Sequence, residues 1–282
     1  MAGLLLAMTY TLPADLTAAE TSIFWKAALT PIPPEWENPR LPLSGAGTFE
    51  AQMFALRTRG STDTARAITD PGPIELFPEL AAAFPPVVGL QGKPHAGKDT
   101  VAWIAALGLA AAGRRAVVIG TSDPVVAEAN QFLGLVDRTV GHGNKSWGPY
   151  RLLLQTLGIV RRRQDPRYWN KPHMENILRI QREELEAGNG FPVIFITGLR
   201  TPSDLELIQE SEPLGLACPA VRVYRAANPY ADKADHPIER QLDHVPDSGF
   251  QFVIHNDGGF DKLRSNVQSM CAALANPESH KP

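Results

Sequence analysis

The pattern of apolar and polar positions changes character at Pro85-Pro86. Beyond it, short runs of branched apolar residues alternate with longer stretches of helical period. Residues 87–90 form a buried strand that ends in a glycine-rich turn. Residues 99–112 predict an alanine- and leucine-rich helix closed by Gly113 as its C-terminal cap. A second strand is expected at 116–119 and helices at 123–133 and 150–157. Met174, Ile177, Leu178 and Leu185 mark one face of a long amphipathic helix. Residues 192–196, 220–224 and 250–254 are strand-like, with helices at 203–210 and 260–274. This alternation predicts an α/β fold, a mostly parallel sheet covered on both faces. In such sheets the ligand sits at the carboxyl ends of the strands.

Residues 1–86 follow another pattern. Pro31, Pro33, Pro34, Pro39, Pro42, Pro71, Pro73 and Pro78 break them into short pieces. Helices are expected at 14–29, 49–59 and 78–84, and no chemistry is legible among them. The chain therefore divides into an irregular, partly helical extension (1–86) and a main domain (87–282). The extension is open to three roles: a packed arm, a dimer contact or a lid.

Composition narrows the class. With 44% hydrophobic and 20% charged residues among 282, the chain can bury a large core without staples. A net charge of -3 offers no basic stripe for nucleic acid, so any positive charge for phosphate must be placed locally. Cys218 and Cys271 are too few for a metal cluster or a disulfide framework and are expected as buried thiols. The apolar start lacks a basic flank and is too short to span a membrane, so a cytosolic protein is expected. His142 and His236 show no metal-ligand spacing.

The strongest local signal is Gly92-Lys93-Pro94-His95-Ala96-Gly97-Lys98-Asp99-Thr100, which follows a strand and opens a helix. That is the context of a phosphate-binding P-loop: the backbone N–H groups wrap phosphate oxygens, the helix adds its positive end, and the lysine neutralises moving charge. The general pattern has Ser or Thr directly after the lysine, whereas here Asp99 precedes Thr100.

The Gly-Lys-Asp-Thr variant resembles the deoxynucleoside monophosphate kinases of bacteriophages and, more distantly, the phosphomevalonate kinases. Further segments resemble the same family in the same order. They are Ser122-Asp123-Pro124, Arg151-Leu152-Leu153-Leu154-Gln155-Thr156-Leu157-Gly158, Arg161 to Arg163, and Asp165-Pro166 with Tyr168-Trp169. Thr197 to Arg200, Arg222 to Arg225, His236-Pro237 with Glu239, Leu242-Asp243, and Ile254 with Asn256-Asp257-Gly258 complete the series. The resemblance covers the chain from Val87 onward and implies a three-layer P-loop kinase fold.

The resemblance also implies ATP as donor, Mg²⁺ as its metal and a deoxynucleoside monophosphate as acceptor. Gly92, Lys93, His95, Ala96, Gly97, Lys98, Asp99 and Thr100 would hold the donor, with Asp99 and Thr100 at the Mg²⁺, directly or through water. Arg151 would grip the acceptor's α-phosphate in bidentate fashion, beside Asp123, and Gln155 one turn later would read a base edge. Arg163 and Arg200 would reach the transferring phosphoryl group beside Lys98. Glu239 and Asp243, one turn apart in an expected helix, would contact the donor side or a ribose. Related kinases are often dimers, so a homodimer is an open expectation.

The residues themselves leave plainer readings open. Arg161 to Arg163 also suit a solvated basic turn, Gln155 an exposed helix position, and Glu239 and Asp243 surface pairing with Arg240. Gly198 stands where the family has an aspartate that helps hold Mg²⁺, Val160 replaces a common acidic residue, and His95-Ala96 replace Arg and Ser. These departures keep two alternatives in play: a kinase for another small phosphorylated acceptor, and a nucleotide-binding protein without turnover.

Overall fold

A computed structural model describes residues 12–29, 74–133, 148–210, 218–226 and 237–276. The helix expected at 49–59, together with His142 and His236, lies outside them. The described residues form two compact units. A sheet unit holds residues 74–121 and 174–276, and a helical unit holds 12–29, 122–133 and 148–173.

The sheet unit contains five strands: β1 (Val87–Gln91), β2 (Ala116–Gly120), β3 (Val193–Leu199), β4 (Ala220–Tyr224) and β5 (Phe252–His255). All pairings are parallel, in the order β2-β3-β1-β4-β5. Near-continuous apolar strands such as Val-Ile-Phe-Ile require cover on both faces. Alternation supplies two cores. Val88, Leu90, Val193, Phe195, Val221 and Val223 face one way, into a core shared with α3 (Lys98–Ala111) and α8 (Phe260–Ala275). Val87, Val117, Ile119, Ile194 and Ile196 face the other, against α6 (Asn170–Glu186) and α7 (Pro202–Glu210). The expected α/β architecture is therefore present, with the sheet entirely parallel.

Helix α3 ends as Gly113 predicts: Gly113 N–H donates to Ala110 O and Arg114 N–H to Leu109 O, a Schellman pair. Arg114 then reaches helix α2 (Pro78–Ala83), donating to the carbonyls of Ala81, Ala82 and Phe84 at 2.7, 3.1 and 2.5 Å. One guanidinium thus satisfies the orphan carbonyls of a short helix and ties it to the sheet unit.

The amphipathic face expected on α6 needs correction. Ile177 is buried, but Leu178 and Leu185 are 53% and 45% exposed. Ile180, Gln181 and Glu184 take the buried stripe instead. Glu184 is tolerated there because Arg115 Nε lies 2.8 Å from its carboxylate and Asn189 Nδ2 donates to it at 2.7 Å.

The helical unit contains α1 (Ala18–Leu29), α4 (Asp123–Phe132) and α5 (Gly148–Gln164). Helix α1 starts four residues later than apolar spacing alone suggested, because Thr17 and Glu20 form a capping box. Thr17 N–H donates to Glu20 Oε2 at 2.8 Å and Glu20 N–H to Thr17 Oγ1 at 3.2 Å. Phe24 and Ala27 of α1 are buried with Phe132, Tyr150, Leu153, Leu157 and Trp169, so this part of the extension is integral to the unit's core.

Helix α5 does not stop at Leu157 as expected. It continues through Gly158 to Gln164, since Val160 prolongs the buried stripe and Trp169 Nε1 donates to the Gly158 carbonyl at 3.3 Å. Arg161 to Arg163 therefore form a last helical turn, where cations favour the dipole, and not a loop. Both cysteines are buried free thiols, and burial pushes Cys271 up to about 12, which leaves it inert at neutral pH. No helix among the described residues is long and apolar enough to cross a membrane.

Candidate functional site

Strand β1 lies between β3, on the side reached by the first crossover, and β4 on the other. Its carboxyl end is thus the point where chain order reverses, the place where open α/β sheets leave a crevice. The glycine-rich segment leaves β1 there. Ala96 N–H closes a tight turn onto Lys93 O at 3.1 Å, His95 takes a φ of 61°, and Gly97 takes a φ of 98° as the N-cap of α3. Gly97 is required at its position: its φ is left-handed, and a Cβ would overlap the Asn256 side-chain amide. Helix α3 opens directly into the loop, with its first-turn N–H groups pointing towards it.

Lys98 is only 7% exposed, at the first residue of α3. Among the described residues its ammonium makes no hydrogen bond or ion pair. Burial pushes its pKa below the ordinary value; Asp99 opposes that shift, Arg200 adds to it, and Glu239 opposes it. A cation at a helix N-terminus adds its charge to the helix's positive end, an arrangement that favours an anion over a further cation.

Around it lie the other residues expected in the sheet unit. Arg200 directly follows β3, its backbone N–H held by Asp204 Oδ2 at 2.8 Å, and its Nε stands 2.8 Å from Glu239 Oε1. Lys93 of the loop donates to Glu239 O at 2.5 Å and pairs with the Asp243 carboxylate. These are not the partners that sequence spacing suggested, because Glu239 and Asp243 do not share a helix. A 3-10 turn spans Pro237–Arg240, Asp243 lies beyond it, and the two carboxylates hold Arg200 and Lys93 in place of Arg240.

Gly198 explains its own departure. Its φ of 88° favours glycine, its carbonyl accepts from Thr121 Oγ1 at 2.6 Å, and an added Cβ would crowd that same hydroxyl at 3.1 Å. The left-handed backbone, more than the lysine stem at 3.7 Å, is what an aspartate would not suit. Asp99 and Thr100 follow Lys98 on the first turn, one carboxylate and one hydroxyl. Among the described residues no three acidic, histidine or cysteine side chains gather as a metal cage. That set suits Mg²⁺, which keeps its waters and takes one or two protein oxygens beside the phosphates.

In the helical unit Arg151 and Gln155 lie one turn apart on α5, both half-buried. Neither side chain has a hydrogen bond or ion pair among the described residues. Asp123 is the first residue of α4. Arg163 lies twelve residues beyond Arg151, roughly 18 Å along the helix axis. Its guanidinium is held by Glu20, with Nη2 to Oε1 at 2.5 Å and Nη1 to Oε2 at 3.3 Å. Arg161 is likewise engaged: Glu128 accepts from it at 2.6 and 2.9 Å, and it sits over the Tyr168 ring. Sequence reading missed the Glu20–Arg163 clamp, although Thr17-Glu20 spacing carries the capping-box signal that places Glu20.

Arg163 holds the Glu20 carboxyl down to about 2, well below its ordinary 4.5. A depressed carboxylate stabilises the fold above its unfolded pKa and loses that contribution as pH falls through the folded value. The helical unit is therefore expected to weaken between about pH 4.5 and 2 in acid titration followed by helical circular dichroism. A Glu20→Gln variant is expected to lack that part of the acid dependence.

Compared with known proteins, the chain matches no family model, and no curated protein matches it in sequence.

Proposed function

We propose that the protein is an ATP- and Mg²⁺-dependent phosphotransferase of the three-layer P-loop kinase type, acting on a deoxynucleoside monophosphate to give the diphosphate. The observation that carries the reading is Lys98, a largely buried lysine at the helix end of a glycine-shaped loop that leaves the carboxyl end of a parallel strand. Phosphoryl transfer asks the protein for alignment and charge cancellation more than covalent chemistry. Lys98 and the loop N–H groups would hold the donor phosphates, Arg200 would meet the transferring group, and Asp99 and Thr100 would hold the metal. When bound, the metal would neutralise charge between phosphate oxygens. Arg151 and Gln155, one turn apart on α5 and both half-buried, would bind acceptor phosphate and base. Arg163 would join only once Glu20 releases it.

The test is a coupled assay with ATP, Mg²⁺ and each deoxynucleoside monophosphate, reading diphosphate formation, beside a panel of other phosphorylated acceptors such as phosphomevalonate. Product with any nucleotide supports the kinase; product only with another acceptor moves the specificity. A second reading, nucleotide binding without turnover, draws on Arg163 and Arg200 both facing carboxylates. It requires ATP binding with no product from any acceptor.

Arg151→Ala is expected to raise the acceptor KM by about 10- to 100-fold, the worth of a charge-assisted contact. The ATP KM should change by less than about threefold. Equal changes in both would remove Arg151 from the acceptor site.

A further inference from the structure

We propose that Asn256 is a positioning residue for the loop that takes the donor phosphates; this rests on the phosphotransferase reading above. Asn256 follows β5, and its backbone is fixed there by its own N–H, which donates to Tyr224 O at 2.7 Å. Its side-chain Nδ2 donates to Ala96 O at 2.9 Å, across 160 residues of sequence. The same amide lies flush against Gly97, filling the space a Cβ would need.

The consequence follows from peptide geometry. In a planar trans peptide the carbonyl of one residue and the N–H of the next point in opposite directions. Holding the Ala96 carbonyl on Asn256 therefore points the Gly97 N–H the opposite way within the peptide plane, away from the Asn256 side chain. A reversal of this one peptide would turn a carbonyl dipole to the side where the N–H now points, replacing attraction for an anion with repulsion. Gly97, with a φ of 98°, has no side chain to resist such a reversal, so the restraint must come from outside the loop. Asn256 supplies it, and Arg225 adds a longer contact to the neighbouring carbonyl, Nη1 to His95 O at 3.4 Å. The end of β5 is itself held by Asn266 Nδ2, which donates to His255 O at 3.1 Å. Asn256 thus acts on the loop from a braced strand end, through the Ala96 carbonyl.

The experiment titrates inorganic tripolyphosphate and ATP into wild type, Asn256→Ala and Asn256→Asp by calorimetry. Thermal melts and the KM of both substrates are measured alongside. Ala removes the donor with little strain, and Asp keeps the shape while turning an acceptor to the Ala96 carbonyl. Tripolyphosphate and ATP affinity are expected to fall roughly tenfold in Ala and further in Asp, with the acceptor KM within about twofold of wild type. Unchanged affinity in either folded variant overturns the role of Asn256 alone. Donor and acceptor KM rising together, in step with a lowered melting temperature, overturns it in favour of a general structural role. A wild type that binds neither tripolyphosphate nor ATP overturns the phosphotransferase reading, and this inference with it.

Discussion

Lys98→Ala is expected to lower turnover at saturating ATP and acceptor by roughly 10²- to 10³-fold, the usual loss when one preorganised charge is removed from a transition state. The effect on stability should run the other way. Lys98 is buried, its charge is disfavoured there, and among the described residues no hydrogen bond compensates it. Removing it relieves a desolvation cost, so the variant's melting temperature should equal or exceed that of wild type. The two readouts together separate function from folding. Turnover lost with stability kept marks a group that the fold tolerates for the sake of a ligand. Turnover unchanged would remove the loop from the chemistry altogether.

Strands β1 to β3 were legible because each is an apolar run buried on both faces, a pattern that does not depend on partners far along the chain. The loop was legible because its residues are consecutive. What sequence reading missed has a common cause in partners that only the fold brings near. Glu184 reads as a solvated residue until Arg115 stands beside it, and that misplaced the buried stripe of α6. Gly158 reads as a helix stop until Trp169 packs on its carbonyl. Glu239 and Asp243 suggest a local pair with Arg240, yet their partners Arg200 and Lys93 are set by the sheet. Asn256 was visible only as part of a motif, since nothing in its neighbourhood names Ala96 as its acceptor. The capping box at Thr17-Glu20 is the exception, because that signal was local and apolar spacing masked it.

Arg200→Ala is the second large effect expected: kcat falls by about 10²- to 10³-fold while both KM values move far less. The position argues for it. Arg200 leaves the carboxyl end of β3, its backbone is pinned through Asp204, and it is close enough to Lys98 to depress that lysine. The Arg200 Nε stands 2.8 Å from Glu239 Oε1, so an anion that reached this guanidinium would compete with that carboxylate. A phosphoryl group carrying more charge than one carboxylate can take the guanidinium from it, with two oxygens in place of one. If Glu239 serves as that placeholder, Glu239→Gln should tighten tripolyphosphate binding by roughly three- to tenfold, because the competing charge is gone. In the same variant Arg200→Ala should then cost more binding than it does in wild type, a coupling that a double-mutant cycle reads directly. Weaker binding in Glu239→Gln would instead make the carboxylate part of the donor site, holding Arg200 in its working position. Arg200→Lys separates charge from shape: a lysine restores the charge without the planar fork, so recovery of only a small part of kcat would show that alignment of the phosphoryl group is what Arg200 supplies.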